Sequence, residues 1–267
     1  MKRKVFKYYR RSTAKFRSLP DFLIIGAQKG GTSSLAFYLS QHPSIRFSIN
    51  KEVHFFDKNY FLGLNWYKSF FPFKLTNRNN SFGEATPFYL FHPHCPRRIK
   101  ETLPDVKLIV LLRNPIDRAI SHYNMQVRKG NEVNKSFEEA IMLETARTEK
   151  EMKKTLEDET YNNPTLQRFS YLERGKYYKQ IKNWFNYFNQ DQFLILKSED
   201  FFSNPINTLN KVSTFLNIES FTPKNLTIQN QGSYHKIKKE TKEKLLNFYK
   251  EDVISLSRLT GINFNWF

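Results

Sequence analysis

The apolar positions of the chain form short continuous runs that alternate with stretches of helical period. Residues 22–25 and 193–196 are uninterrupted apolar runs, and residues 106–112 are apolar except for Lys107, as is typical of strands that are buried on both faces. Helical spacing or start signals predict helices from residue 32 to Pro43 and over 60–71, 92–103, 115–128, 136–150, 171–188, from 205 onward and 240–259. Strands that alternate with helices predict a single α/β domain with a mainly parallel central sheet flanked by helices.

The stretch over residues 21–42 organises this pattern, because a strand, a glycine-containing turn and a helix follow one another directly. Glycine lets the backbone turn tightly and approach a ligand closely. The N-terminus of the helix directs backbone N–H groups and a positive dipole end into the turn, which favours a phosphate or sulfate group. A glycine turn that only joins two elements is the alternative. The predicted anion-binding residues are Lys29, Gly30, Gly31, Thr32, Ser33 and Ser34.

A second candidate anion site follows the strand at 106–112. Arg113 ends this strand, and Ser121 lies eight residues later in a helix for which Asn114 is a good N-cap and Pro115 a suitable first residue. A guanidinium binds an anion through a fork of two donors, and a hydroxyl adds one more. Because ligands of such folds bind beyond the carboxyl ends of the strands, the two sites are expected to bind one ligand. A surface ion pair is the alternative for Arg113.

Composition adds a strong positive charge and a near absence of cysteine. The 267 residues include 43 Lys and Arg against 25 Asp and Glu, a formal net charge of +18. Nucleic acid, an anionic membrane surface and an acidic substrate are possible partners, and a basic surface that reflects base composition is the alternative. Cys95 is the one cysteine, so no internal disulfide can form, which favours a reducing compartment.

Residues 1–20 are strongly basic and lack an apolar region, so they are interpreted as a basic N-terminal arm, neither a signal peptide nor a membrane anchor. A disordered tail is the favoured interpretation and contact with an acidic surface the alternative. Residues 21–267 form the predicted domain. The charged, weakly patterned residues 147–163 are interpreted as a mobile segment or a lid over a cleft.

Three motifs together resemble a known family. They are GAQKGGTSSL at 26–35, the Arg113–Ser121 spacing after VKLIVLL, and KEVHFFD at 51–57 with Tyr60, Gly63 and Trp66-Tyr67 beyond it. Over about residues 20–221 the chain resembles the sulfotransferases that use 3′-phosphoadenosine 5′-phosphosulfate (PAPS), in the heparan sulfate N- and 3-O-sulfotransferase branch and its bacterial relatives. The loop departs from a Walker A loop, in which Lys directly precedes the Mg-binding hydroxyl.

The resemblance implies a P-loop-like fold, PAPS as the donor and a role for each matching residue. Loop residues 30–34 would surround the 5′-phosphosulfate, and Arg113 with Ser121 would bind the 3′-phosphate. Lys29 would stabilise the leaving phosphate and Glu52 would act as general base. His54 is also a candidate catalytic residue and a rival base, with a purely structural hydrogen bond as the alternative. Lys51 is either solvent-facing or on the path of an acidic acceptor. The candidates for contact with the acceptor or for shaping the site are Lys51, Glu52, His54, Asp57 and Glu84.

The chain departs from that family at two places. Glu84, a rival base, lies in GEATP, where the 3-O-sulfotransferases usually have E-K-T-P, so Ala85 replaces a lysine that contacts sugar. This argues against transfer of the heparan specificity. The eukaryotic members close the PAPS site with a Lys-Gly-Arg segment beside a disulfide. The nearest segment here is 231–236, and its candidate contacts to the 3′-phosphate are Gly232, Ser233 and Lys236.

The predicted function is transfer of a sulfuryl group from PAPS to a hydroxyl or amine of a carbohydrate or other small-molecule acceptor. No metal site is expected, because the six His residues lack ligand spacing. A P-loop-type kinase is the first alternative, disfavoured because Arg113 stands where a Walker B acid would end the strand. A basic nucleic-acid-binding module is the second, although no nucleic-acid motif is recognised. No apolar segment is long enough to span a membrane, and a cytoplasmic protein is expected. The resemblance to the bacterial relatives implies a bacterial protein.

Overall fold

The computed structural model of the protein describes residues 2–74, 80–133, 135–229 and 237–267. Its five-stranded sheet has the order β2-β3-β1-β4-β5, and every pairing is parallel. The predicted parallel α/β architecture is thereby confirmed. The strands are β1 (Phe22–Gly26), β2 (Ile45–Phe47), β3 (Ser81–Ala85), β4 (Lys107–Leu112) and β5 (Phe193–Lys197).

Helices connect the strands and cover both faces of the sheet. Short 3-10 or π turns lie at Ala14–Phe16, Phe55–Asn59, Tyr60–Leu62, Glu173–Gly175 and Gln190–Gln192. The helices are α1 (Lys2–Ser12), α2 (Thr32–Leu39), α3 (Leu64–Lys68), α4 (Cys95–Thr102), α5 (Pro115–Arg128), α6 (Phe137–Met142), α7 (Glu144–Glu157), α8 (Pro164–Phe169), α9 (Tyr177–Phe185), α10 (Ser198–Ser203), α11 (Pro205–Leu216) and α12 (Lys239–Thr260).

Alternate residues of the central strands face two separate hydrophobic cores. In β1, Leu23 packs into the core beneath α4, α5, α9 and α12, whereas Ile24 packs into the core beneath α2, α10 and α11. In β4, Leu108 and Ile109 divide in the same way. Successive side chains of a strand point to opposite faces, so a strand between two layers of helices must be apolar throughout. This is why the runs at 22–25 and 106–112 show no alternation.

The helix start signals that the sequence showed are confirmed. The Asn114 side chain accepts hydrogen bonds from the backbone N–H groups of Ile116 and Asp117 at the start of α5. At α6, Ser136 and Glu139 form a reciprocal capping box. These contacts satisfy backbone donors that have no partner inside the helix.

The N-terminal arm is helical over Lys2–Ser12, so its interpretation as a disordered tail is wrong for these residues. The Arg10 guanidinium donates to the carbonyls of Ser69 at 2.5 Å and Phe71 at 2.7 Å, and Arg17 donates to the same Phe71 carbonyl at 3.0 Å. These bonds join the arm to the segment after α3. Their partners lie more than fifty residues away in the chain, so no local pattern announces them.

The charged segment also differs from its prediction, since α7 continues as a helix through residue 157. Its charges pair along the helix, as in Lys154–Glu151 at 3.6 Å, and Arg147 forms an ion pair with the buried Glu132. Such i,i+3 and i,i+4 pairs support a helix that carries little apolar surface. The interpretation as a mobile segment is therefore wrong for residues 147–157, whereas the alternative of a lid over a cleft for 147–163 stays a prediction.

Two predicted helices are shorter than expected. Gly63, at φ +77°, separates the 3-10 turn at Tyr60–Leu62 from α3, and the apolar side chain of Leu64 is exposed. The helix predicted from residue 171 begins at Tyr177, after the turn at Glu173–Gly175. Within the described ranges no helix is both long enough and apolar enough to cross a membrane.

Gly30 lies against β4 with no room for a side chain. A Cβ atom at this position would stand 2.5 Å from the carbonyl oxygen of Leu111 and 3.0 Å from that of Ala27, both backbone atoms that cannot rotate away. We expect Gly30→Ala to lower the free energy of unfolding by about 1–3 kcal/mol, the usual cost of overpacking, which denaturant titration would measure. Gly130→Ala is the comparison, because Gly130 has a positive φ but no atom lies close to the added Cβ, so this substitution causes backbone strain without overpacking. If Gly30→Ala lowers the free energy of unfolding by no more than Gly130→Ala does, the prediction is wrong.

Candidate active site

A cavity of about 880 Å³ opens at the carboxyl edge of the sheet. Its wall is strongly basic, and among the described residues that line it Glu52 is the one acid. The cationic residues of the wall are Lys29, Lys51, Lys58, Arg113, Arg128, Lys129 and Arg168. This charge pattern suits a ligand that carries several negative charges.

The glycine turn forms one side of the cavity. Gly31, at φ +97°, precedes α2, whose first backbone N–H groups have no partner within the helix. Gly30 is tied to the core, since its carbonyl accepts a 2.7 Å hydrogen bond from the Ser198 hydroxyl at the start of α10. Lys29, Gly31, Thr32 and Ser33 line the cavity, whereas Ser34 is buried and its hydroxyl accepts from the backbone N–H of Gln229 at 2.9 Å.

Lys29 lies among other cations. Burial lowers its pKa, and the charges of Arg128, Arg113, Lys129 and Lys51 lower it further, to about 8. Each of these groups disfavours a proton on its neighbours because like charges repel. A bound polyanion would reverse the effect, so the cluster favours anion binding.

The second predicted anion site reaches the same cavity. The Arg113 guanidinium donates to the Lys29 carbonyl at 3.4 Å, and both side chains line the wall. Ser121 is fully buried in α5 and also contributes to the wall. The structure therefore brings Arg113 and Ser121 together with Lys29, although 84 residues separate Lys29 from Arg113.

Glu52, His54 and Asp57 form a hydrogen-bonded row beside the loop. The Nε2 of His54 is 3.4 Å from a carboxylate oxygen of Glu52, and its Nδ1 is 2.6 Å from one of Asp57. Burial alone would lower the pKa of His54, but the hydrogen bonds to Asp57 and Glu52 outweigh it and raise the pKa to about 9. Burial would raise the pKa of Glu52, yet His54 and Lys51 hold it below its usual value. At neutral pH Glu52 is therefore ionised and His54 is protonated.

Backbone strain is concentrated at this site. Lys29, Glu52 and His54 have φ values of +74°, +55° and +55°, in the left-handed region that non-glycine residues rarely adopt. Such conformations cost on the order of 1–3 kcal/mol each and are often found at functional sites. The three strained residues are those that the sequence predicted to be catalytic.

Lys51 lies in the cavity wall, whereas Glu84 is buried in the sheet. The Lys51 ammonium donates to the Ser33 hydroxyl at 2.5 Å and so bridges the segment before Glu52 to the glycine turn. Glu84 is fully buried on β3 and is not part of the described cavity wall. Its carboxylate accepts hydrogen bonds from the hydroxyls of Tyr67 at 2.5 Å, Thr86 at 2.5 Å and Tyr89 at 2.9 Å, and burial raises its pKa.

Some predicted residues cannot be placed. Gly232, Ser233 and Lys236 lie outside the described residues. In the part of the chain that is described, no group of three or more His, Cys, Asp or Glu side chains is arranged to hold a metal ion.

Sequence reasoning missed several residues of the cavity wall. Arg128 is the last residue of α5 and Lys129 follows it, about two turns beyond Ser121. A basic pair at helical spacing from Ser121 is therefore the sequence signal that could have identified them as part of the site. Lys58 and Gln167 meet across the cavity through a 2.6 Å hydrogen bond between the ammonium and the amide oxygen. No local signal marks Gln167 or the neighbouring Arg168, because α8 reaches the cavity only through the tertiary fold.

The fold and the cavity define a P-loop-like α/β protein with a glycine turn at the end of β1 and a basic ligand site at the carboxyl edge of its sheet. The sequence model of the sulfotransferase domain family matches residues 19–258. The chain belongs to this family, as its motifs predicted, and the family members are sulfotransferases. The boundary between the arm and the domain at residue 20 stays a prediction.

Individual relatives agree with the family match. The membrane-associated sulfotransferase kil1 of Dictyostelium discoideum is 28% identical over an alignment 320 residues long, which covers 94% of this chain and 67% of that protein. The human heparan sulfate glucosamine 3-O-sulfotransferase 6 is 34% identical over 203 residues, 76% of this chain and 54% of that protein. The chain thus spans about half to two thirds of the length of these curated relatives.

A solved structure supports the same fold. The crystal structure of a sulfotransferase from Alicyclobacillus acidocaldarius is similar with a TM-score of 0.74 and 29% identity, over 93% of this chain and 99% of that one. The predicted P-loop-like sulfotransferase fold is thereby confirmed.

Proposed function

We propose that the protein transfers the sulfuryl group of PAPS to a hydroxyl or amine of a carbohydrate acceptor. The observation that carries this proposal is that Lys29, Arg113 and Glu52 line the same cavity. The two candidate anion-binding elements therefore lie beside a carboxylate. A bisphosphorylated nucleotide needs two such cationic regions. The acceptor must lose a proton as it reacts, so a general base has to lie next to one of these two cationic regions.

The donor would lie with its 5′-phosphosulfate in the glycine turn and its 3′-phosphate at Arg113 and Ser121. Backbone N–H groups at the start of α2 and the hydroxyls of Thr32 and Ser33 would hold the 5′ end. Arg128 and Lys129 add positive charge to the same wall. When PAPS is bound it supplies the sulfuryl group, and PAP is the leaving group.

Glu52 would take the proton of the acceptor as its oxygen or nitrogen attacks sulfur and the bond from sulfur to the 5′-phosphate oxygen breaks. The ionised state of Glu52 at neutral pH fits this role, because a base must be unprotonated. His54 would hold the carboxylate through its Nε2 and would itself be held by Asp57. Lys29 would balance the charge that develops on the phosphate oxygen, as in phosphoryl transfer.

The acceptor side of the cavity carries Lys58, Gln167 and Arg168. These side chains suit the hydroxyls and any acidic groups of a sugar. Several relatives are heparan sulfate sulfotransferases by name, which supports a carbohydrate acceptor. The resemblance places Ala85 where the 3-O-sulfotransferases usually carry a lysine, so heparan specificity itself is not proposed.

The experiment that tests this function measures transfer of label from ³⁵S-PAPS to desulfated heparan sulfate and to small glycosides, with and without EDTA. Labelled product that is insensitive to EDTA is expected. Absence of PAP binding by calorimetry would refute the proposal. ATP binding at similar concentration that requires Mg²⁺ would instead favour the P-loop kinase alternative.

The affinity for PAP should fall as pH rises through the pKa of Lys29. That pKa is about 8 in the free protein, so the ammonium loses its proton between pH 7 and 9, whereas a bound polyanion favours the protonated form. We expect about tenfold weaker binding at pH 9 than at pH 7, with proton uptake on binding. Calorimetry in buffers of different ionisation enthalpy measures both quantities. Lys29→Arg, which keeps its charge at pH 9, is the control; an equally steep pH dependence in this variant would contradict the assignment.

A further inference from the structure

Arg174 is a buried cation behind the cavity. It lies on the 3-10 turn at Glu173–Gly175, is 3% exposed, and its guanidinium stands over the rings of Phe88 at 5.0 Å and Phe91 at 5.6 Å. Among the described residues no carboxylate lies within 4.0 Å of it. A buried charge without an ionic partner is costly, so its presence calls for a specific role.

The partners of Arg174 belong to the cavity wall. Its Nη1 donates to the side-chain oxygen of Gln28 at 2.7 Å and, more weakly, to the backbone carbonyl of Gln167 at 3.4 Å. Both Gln28 and Gln167 line the cavity, the first in the glycine turn and the second on α8. Arg174 therefore joins the two sides of the site from behind.

This contact determines which end of the Gln28 amide can serve a ligand. Guanidinium has only donors, whereas an amide has one acceptor end and one donor end. The oxygen of Gln28 must accordingly face Arg174, which leaves the NH₂ group to donate elsewhere. An anionic ligand requires a donor and is repelled by a carbonyl oxygen.

We propose that Arg174 is a positioning residue that holds the Gln28 amide with its NH₂ group toward the 5′-phosphosulfate of the donor nucleotide. This inference rests on the proposed function, because it takes PAPS as the ligand. Gln28 directly precedes Lys29 in the turn, and both residues line the same cavity. Burial lowers the pKa of Arg174 to about 9, which still leaves the guanidinium charged at neutral pH.

Gln28→Glu separates positioning from a structural role, because the two predict opposite signs. A carboxylate of the same shape keeps the hydrogen bond to Arg174 and gives the buried guanidinium an ionic partner, so Tm should rise. The same change replaces the NH₂ donor by an oxygen that repels phosphate, so the affinity for PAP should fall at least about tenfold. Differential scanning fluorimetry and calorimetry measure the two effects on one protein.

A double-mutant cycle tests whether Arg174 acts through Gln28. We expect Arg174→Met and Gln28→Ala each to weaken PAP binding several-fold, and the double variant to bind no more weakly than the weaker single variant. Non-additive losses indicate that the two side chains act as a unit. If the fold losses in PAP affinity of the two single variants multiply in the double variant, the proposal is overturned. If Arg174→Met does not fold, the effects of Gln28→Glu on Tm and on PAP affinity still test the proposal.

Gln41→Glu is the matched control, since its amide bonds to the backbone of Asn225 and is not part of the described cavity wall. It should bind PAP as the unaltered protein does. Unchanged PAP affinity in Gln28→Glu would overturn the positioning role while leaving the proposed function intact. Failure of the unaltered protein to bind PAP would refute the proposed function and this inference with it.

Discussion

Replacing Glu52 by glutamine is expected to lower the rate of sulfuryl transfer by about 10²–10⁴-fold, the usual contribution of a positioned general base. Glutamine keeps the size of the side chain and can still accept a hydrogen bond from His54, but it cannot take a proton. The affinity for PAP should be equal or tighter, since a negative charge leaves a cavity that binds an anion. Initial rates with labelled PAPS and the best acceptor of the screen, together with calorimetry on PAP, measure the two quantities.

Two further substitutions make this result specific. Glu159→Gln removes an exposed carboxylate that pairs with Arg97 at the surface, and it should leave transfer unchanged. Glu84→Gln tests the rival base. Its carboxylate is enclosed by three hydroxyls on β3, so we expect a loss of stability and retention of most transfer activity per folded molecule. If Glu84→Gln abolishes transfer in a folded protein while Glu52→Gln does not, the assignment of the base is wrong.

Replacing Lys29 by methionine is the second large effect, with an expected loss of about 10²–10³-fold in kcat from the removal of one charge that stabilises the leaving phosphate. Methionine fills similar space without charge. Because burial and several like charges already disfavour the ammonium in the free protein, its removal should not lower Tm. The loss should therefore appear in single-turnover transfer and in PAP affinity, and not in thermal unfolding.

Lys153→Met is the control for this substitution, because it removes an exposed ammonium from α7 that is not part of the described cavity wall. Its transfer rate should equal that of the unaltered protein. Lys29→Arg should recover PAP binding more fully than transfer, since the charge returns with a different shape. Full activity of Lys29→Met would contradict the proposed role of this residue in catalysis.

The parts of the fold that sequence predicted have causes that lie close together in the chain. The runs at β1 and β4 are apolar because helices cover both faces of the sheet. The cap at Asn114 and the capping box at Ser136 involve residues no more than three positions apart. Local chemistry of this kind is visible without a structure. The same holds for the glycine turn, whose strand and helix follow each other directly.

The predictions that failed depended on distant contacts. The arm is ordered by guanidinium bonds to carbonyls after α3, and α7 is stabilised by pairs such as Arg147 with Glu132. A charged segment looks alike in sequence whether or not it finds such partners. The part of the cavity wall formed by Gln167 and Arg168 likewise depends on where α8 packs, which the spacing of its own residues does not reveal.

The family, the parallel sheet and two candidate anion-binding elements could be predicted from the amino-acid sequence, because each of these is encoded in a few neighbouring residues. The three-dimensional arrangement was needed to show that Lys29 and Arg113 line one cavity, that the Glu84 carboxylate is enclosed by hydroxyls, and that Arg174 donates a hydrogen bond to Gln28. Those facts depend on which strand ends and turns meet in space. Hydrogen bonds between residues 84 and 146 positions apart carry that information, and no local pattern records it.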